Sequence, residues 1–134
     1  MTKMTIAEAL RQAIREEMTS DATVFCMGED IGVTGGFGGA FTVTLGLSDE
    51  FGHERILDTP ISEIGLAGVA IGAAMSGLRP IADVQYGDFL FCMMYQLANQ
   101  AAKMIYMSGG TIKMPLVMRA TVGATARGDR KSVV

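Results

Sequence analysis

Short apolar runs alternate with helical segments along this 134-residue chain. Runs rich in β-branched and other apolar residues predict buried strands at 23–27, 55–57, 80–84 and 115–121. Helical periodicity predicts helices over about 5–18, 43–51, 59–76 and 88–107. Strands that alternate with helices indicate an α/β fold with a mostly parallel sheet and right-handed crossovers.

The first predicted helix begins with a clear signal, because Thr5 and Glu8 have the spacing of a capping box. The third is predicted to start with Thr59 as N-cap and Pro60 in the first turn. Within it, a ladder of small residues recurs every four positions, at Gly68, Gly72 and Ser76. Since each mid-helix glycine costs about 1 kcal/mol, we expect close packing against another helix, from this subunit or from a partner.

The fourth predicted helix is apolar apart from four polar residues that share one face: Gln96, Asn99, Gln100 and Lys103. We therefore expect this helix to be buried on most sides, with one narrow solvated stripe.

The net charge is −3, from 11 basic and 14 acidic residues with no basic stripe, so binding to nucleic acid or to an anionic membrane has little support. The longest stretch without polar residues, 64–75, is shorter than the roughly 20 residues of a membrane helix. Cys26 and Cys92 each lie in an apolar run, which predicts reduced, buried thiols. Together with the lack of a signal peptide, these features predict a cytoplasmic protein.

Few residues offer chemistry. The single histidine, His53, lies in a polar stretch and is predicted to be a surface residue, so a catalytic triad or a multi-histidine metal site is hard to assemble. The six glycines of 28–40 predict an irregular loop without phosphate-binding spacing. Glu63 has two interpretations: a common first-turn acid, stabilised by about 0.3–1 kcal/mol through the helix dipole, or a carboxyl that projects into an interface cleft and shares a proton.

The motif DTPISEIGLAGVAIGAAMSGLRPIADVQYGDF resembles the β subunit of the decarboxylating component of 2-oxo acid dehydrogenase complexes, such as the pyruvate, branched-chain and acetoin enzymes. GEDIG, FGHERILDTP and NQAAKMIYMSGG match the same family in order, so the resemblance covers about residues 4–126. It implies a doubly wound α/β unit, with helices on both faces, that binds the pyrimidine half of thiamin diphosphate. This domain is expected at 1–126, followed by a divergent tail at 127–134.

The resemblance also implies roles for three residues. Glu63 matches the family's catalytic glutamate, Phe89 the aromatic that packs on the aminopyrimidine ring, and Glu29 a residue of the cofactor-side loop. A carboxyl bonded to the aminopyrimidine favours its imino tautomer, which can deprotonate the neighbouring thiazolium carbon. Apart from the resemblance, Phe89 is explained equally well as a core residue. No metal ligand is expected here, because in the family the α subunit holds the diphosphate and Mg²⁺.

The implied assembly is an α2β2 heterotetramer that decarboxylates a 2-oxo acid oxidatively and passes the acyl group to a lipoyl acyltransferase. In the family, a Gln-His-Ser motif would place a histidine near position 132, which is Ser132 here, and a second domain follows. We therefore expect a truncated β subunit that is inactive alone. The alternative is a non-catalytic interaction module derived from the same fold. For the isolated chain we expect a homo-oligomer, because the helices at 61–76 and 88–107 would be under-covered.

Overall fold

The computed structural model describes residues 3–33, 36–125 and 128–130. Its main sheet has four parallel strands in the order β2-β1-β3-β4. These strands are β1 (Val24–Gly28), β2 (Ile56–Asp58), β3 (Arg79–Tyr86) and β4 (Val117–Thr121). The predicted parallel α/β fold is confirmed. A short antiparallel pair that the sequence did not predict follows, β5 (Gly123–Thr125) and β6 (Gly128–Arg130).

One face of the sheet is covered by α1 (Ile6–Ser20) and α2 (Leu47–Phe51). The predicted capping box is confirmed at the start of α1: the Glu8 N–H donates to Thr5 Oγ1 at 3.2 Å, and the Thr5 N–H donates to Glu8 Oε2 at 2.7 Å. The second helix is shorter than predicted because Gly46, at φ 78°, interrupts the helical backbone before α2 begins.

The other face is covered by α3 (Glu63–Met75) and the segment that follows β3. The prediction that Thr59 is the N-cap is wrong. Ser62 caps α3, and its Oγ accepts the Gly65 N–H at 3.3 Å. Pro60 disfavours helical backbone at the residue before it, and the Thr59 N–H instead donates to the Gly28 carbonyl at 2.9 Å.

The predicted fourth helix is a composite. It consists of 3₁₀ turns (Gly87–Met93), a π-helical turn (Gln96–Ala101) and α4 (Ala102–Met107). The predicted burial is wrong as well: Tyr106 is 89% exposed and Phe91 is 73% exposed, whereas Gln96 is half-buried. The cause is orientation: the Gln96 amide lies beside Gly68 of α3, whereas large apolar side chains of the segment are exposed.

The small-residue ladder on α3 has little cover within the described part of the chain. A Cβ built on Gly68 would lie 3.8 Å from Gln96 Nε2, which is ordinary contact, and one on Gly72 would meet no described atom within 4 Å. Close helix packing at Gly72 is therefore not supplied by these residues.

The two cysteines differ. Cys26 is buried in β1, and burial raises the pKa of its thiol to about 12. Cys92 is exposed, so the prediction of a buried thiol is wrong at this position, where the 3₁₀ turns carry the side chain outward. Both cysteines are free.

Candidate functional site

The three predicted site residues follow three different strands at the same edge of the sheet. Glu29 comes directly after β1, Glu63 begins α3 after β2, and Phe89 lies in the 3₁₀ turns after β3. In open parallel sheets, ligands bind at the carboxyl ends of the strands, where the strand order reverses. Here the reversal lies between β1 and β3, since β2 and β3 flank β1 on opposite sides.

Glu63 is the first residue of α3 and is half-buried. The Ser62 cap fixes this turn, and the free N–H groups of the first turn favour a carboxylate there. This geometry agrees with both interpretations of Glu63, because a first-turn acid of α3 also lies at the ligand-binding edge.

Glu29 is half-buried, and its pKa is raised. The main cause is loss of solvent around the carboxyl, followed by repulsion from the carboxylates of Glu63, Asp30 and Asp83. Glu29 and Glu63 therefore lie at the same edge of the sheet, and their carboxylates repel each other.

The raised pKa of Glu29 predicts a pH dependence of folding. The folded state holds the Glu29 proton more tightly than the unfolded state, so this contribution to stability is lost as pH rises through the folded-state pKa. We expect Glu29→Gln to be more stable than the unsubstituted chain at pH 7, with the difference disappearing below the ordinary glutamate range. Urea unfolding at several pH values measures it, and a constant difference across that range would contradict it.

Phe89 is half-buried and packs against the core on the α3 side of the sheet. Its ring meets Tyr86 edge-on, with centroids 5.7 Å apart, and Tyr86 in turn meets Phe41 edge-on at 5.4 Å. The core interpretation of Phe89 therefore accounts for part of the ring, and the remaining surface is accessible at the strand edge. Sequence reasoning missed Tyr86 and Phe41 as neighbours of this site.

A buried polar group lies behind the site, and sequence reasoning missed two of its members, Gln85 and Arg119. Asp83 on β3 pairs with Arg119 on β4, and their side chains are only 5% and 15% exposed. Gln85, also on β3, is buried, and its side-chain amide donates to the Glu29 carbonyl. The sequence signal that could have found them is the presence of polar residues within an otherwise apolar strand.

The neighbouring loop is tied to the sheet by polar contacts. Asp58 Oδ1 accepts the Gly32 N–H at 2.7 Å, and Ser48 Oγ donates to the Gly32 carbonyl at 2.7 Å. Thr59 Oγ1 at the same edge is buried and has no hydrogen-bond partner among the described atoms. Unsatisfied buried groups are rare, and they recur at functional sites.

Other candidate features lie elsewhere. His53 is exposed, as predicted, with its Nδ1 3.2 Å from Ser48 Oγ.

A cavity of about 350 Å³ opens at the opposite edge of the sheet, among residues that include Glu17, Arg79 and Val117. Within the described ranges, no group of three or more potential metal ligands occurs. The predicted tail at 127–134, with Ser132, lies outside the described residues except for β6.

Across the part of the chain that the structure describes, every helix is too short or too polar to span a bilayer. The cytoplasmic location stays a prediction.

Comparison with known proteins gives a consistent result. Residues 2–134 match the family described as "Transketolase, pyrimidine binding domain". The chain is 49% identical over 127 residues to "Pyruvate dehydrogenase E1 component subunit beta" of Rhizobium meliloti, covering 95% of this chain and 27% of that protein. It is 46% identical over 125 residues to the protein of the same name in Rickettsia bellii, covering 93% and 38%. It is 44% identical over 128 residues to "2-oxoisovalerate dehydrogenase subunit beta" of Bacillus subtilis, covering 96% and 38%.

Proposed function

The chain belongs to the transketolase pyrimidine-binding domain family, and from this premise we propose that it supplies the pyrimidine half of a thiamin diphosphate site. The observation that carries the proposal is that Glu29, Glu63 and Phe89 follow three different strands at the same carboxyl edge of the parallel sheet. Such an edge is where this class of fold binds its ligands.

The residues at this edge fit an aminopyrimidine. The ring needs a carboxyl that can exchange a hydrogen bond with a ring nitrogen, and Glu63 offers one at a helix start. It also needs an apolar surface for its face, which the accessible part of Phe89 provides. Glu29 adds a second carboxyl at the same edge, with a pKa raised above the usual glutamate value.

The chemistry that thiamin diphosphate supplies when bound is decarboxylation of a 2-oxo acid, with the thiazolium ring as electron sink. The contribution of this chain is to bind and orient the pyrimidine and to hold a proton at the Glu63 carboxyl.

The chain spans 27–38% of the length of these curated relatives. We propose that the complete enzyme is a 2-oxo acid dehydrogenase in which an α subunit holds the diphosphate and Mg²⁺ and a lipoyl acyltransferase takes the acyl group. On this proposal the chain alone supplies half a site and does not turn over. Decarboxylation of pyruvate by the chain alone, above that of Glu63→Ala, would contradict this.

Titration calorimetry tests the proposal. We expect heat of binding when thiamin diphosphate and Mg²⁺ are added to the chain together with a related α subunit, and none when either protein is omitted. Absence of binding heat in the mixture would instead favour the non-catalytic interaction module.

The second candidate function, a self-associating module, has one specific observation in its favour. Apolar side chains on α3 and on the segment from the 3₁₀ turns through α4 are exposed, including Val69 at 59%, Tyr95 at 63% and Tyr106 at 89%. Because α3 and this segment pack against each other, exposed apolar side chains on both favour an interaction site.

Self-association is therefore expected for the isolated chain. Sedimentation at increasing concentration should show a dimer or larger species, and the double variant Val69→Lys/Tyr106→Lys should shift it toward monomer. Ile6→Lys is the matched control, because Ile6 is 82% exposed on α1, across the sheet from this surface. A monomer throughout the concentration series would contradict the prediction.

A further inference from the structure

Gln85 combines features that a strand residue rarely combines. Its side chain is buried, yet its backbone is left-handed, at φ 55°. It also lies where the pairing of β3 with β4 shifts register, between Asp83 and Tyr86. A residue with a Cβ adopts this conformation at a cost of about 1–2 kcal/mol, which glycine avoids. A buried, strained polar residue therefore needs contacts that hold it in place.

Two hydrogen bonds hold Gln85. Its backbone N–H donates to Asp83 Oδ1 at 3.0 Å, and its side-chain Nε2 donates to the Glu29 carbonyl oxygen at 2.5 Å. The other oxygen of Asp83 accepts from the Arg119 guanidinium on β4. A continuous series of polar contacts thus runs from β4 through β3 to the residue that follows β1.

The strands approach closely just before this contact. A Cβ built on Gly28 would lie 2.8 Å from the Asp83 carbonyl oxygen, so β1 has no room for a side chain beside β3 at this point. The chain then leaves the sheet at Glu29, whose carbonyl loses its place in the β-ladder and is satisfied by the Gln85 amide.

We propose that Gln85 is a positioning residue that holds the backbone at Glu29 and so sets where the Glu29 carboxyl lies, relative to Glu63, at the carboxyl edge of the sheet. Irregular strand pairing next to a site is a common way to aim a side chain that regular pairing would place elsewhere. The role of this placement in catalysis rests on the function proposed above. The placement itself is independent of that function.

The charged groups that act on Glu29 come from three elements. Glu63 belongs to α3, Asp30 to the same loop as Glu29, and Asp83 to β3, where it is paired with Arg119. Substituting Glu63 alone leaves the other carboxylates in place, so the resulting change in the Glu29 pKa reports the effect of the Glu63 carboxylate by itself.

A double-mutant cycle read by NMR tests the placement. The Glu29 carboxyl is titrated by ¹³C NMR in the 134-residue chain without cofactor, with and without Glu63→Gln. We expect Glu63→Gln to lower the Glu29 pKa in the unsubstituted chain. In Gln85→Asn and in Gln85→Gly we expect at least half of that decrease to be lost.

The two variants separate the effect of side-chain length from the effect of backbone strain at position 85. Asparagine tolerates the left-handed backbone and keeps an amide, but it is one methylene shorter, and glycine removes the strain together with the amide. Dispersion of the amide signals verifies folding, and the glycine variant keeps the test available if the asparagine variant unfolds.

The proposal would be overturned if Glu63→Gln lowered the Glu29 pKa as much in the folded Gln85 variants as in the chain that keeps Gln85. It would also be overturned if Glu63→Gln left the Glu29 pKa unchanged in the chain that keeps Gln85. Because the titration contains no cofactor, its failure is distinct from failure of the calorimetric test of cofactor binding.

Discussion

Glu63→Gln is expected to slow exchange of the thiazolium C2 proton of bound thiamin diphosphate by about 10²- to 10⁴-fold, the usual contribution of a general acid–base group. The physical reason is that a neutral amide at the start of α3 cannot hold and return a proton at the aminopyrimidine nitrogen. The measurement is hydrogen–deuterium exchange, followed by NMR after rapid quench, in the chain assembled with a related α subunit.

Glu54→Gln serves as the control for this substitution. Glu54 is exposed, in the turn before β2, so the same loss of one charge there should leave the exchange rate within about twofold. Exchange in Glu63→Gln at more than about a tenth of the unsubstituted rate would remove Glu63 from the proposed role.

Asp83→Ala is expected to destabilise the fold by about 3 kcal/mol or more. The substitution leaves the Arg119 guanidinium, which is only 15% exposed, without its carboxylate, and it removes the acceptor of the Gln85 N–H. Breaking a buried pair on one side typically costs about 3–5 kcal/mol, because the remaining charge is uncompensated. This is a large part of the roughly 5–15 kcal/mol that stabilises a domain, and urea unfolding followed by circular dichroism measures it.

An exposed ion pair provides the comparison. Arg15 Nε lies 2.7 Å from Glu50 Oε2, and both side chains are about two-fifths exposed. Glu50→Ala should therefore lower the free energy of unfolding by no more than about 1 kcal/mol. Equal losses for Asp83→Ala and Glu50→Ala would show that burial does not strengthen the Asp83–Arg119 pair.

Local sequence signals predicted the elements that depend on local interactions. The capping box at Thr5 and Glu8 appears as expected, because both partners lie within one helical turn. The strand at Val24–Gly28 follows from a run of apolar residues, each of which is buried in the sheet. The start of α3 was misplaced, since Thr59 and Ser62 are both acceptable caps and tertiary contacts of the Thr59 backbone select Ser62.

Burial was less predictable than helix or strand content. The segment that follows β3 reads as an apolar helix, but sequence periodicity does not say which side faces the sheet. Gln96 lies against α3, whereas Tyr106 and Phe91 face outward. The same uncertainty explains Cys92, which shares its apolar run with residues that are buried, such as Met93.

By itself, the sequence determined the parallel α/β architecture and the residues that offer acid chemistry, because periodicity, caps and residue type are local properties. Only the tertiary structure decided that Glu29 and Glu63 lie at the same edge of the sheet, and that Gln85, Asp83 and Arg119 connect β4 to the end of β1. Two of these contacts join residues 56 and 36 positions apart. Their formation depends on strand order and on the register shift in β3, which no local pattern specifies.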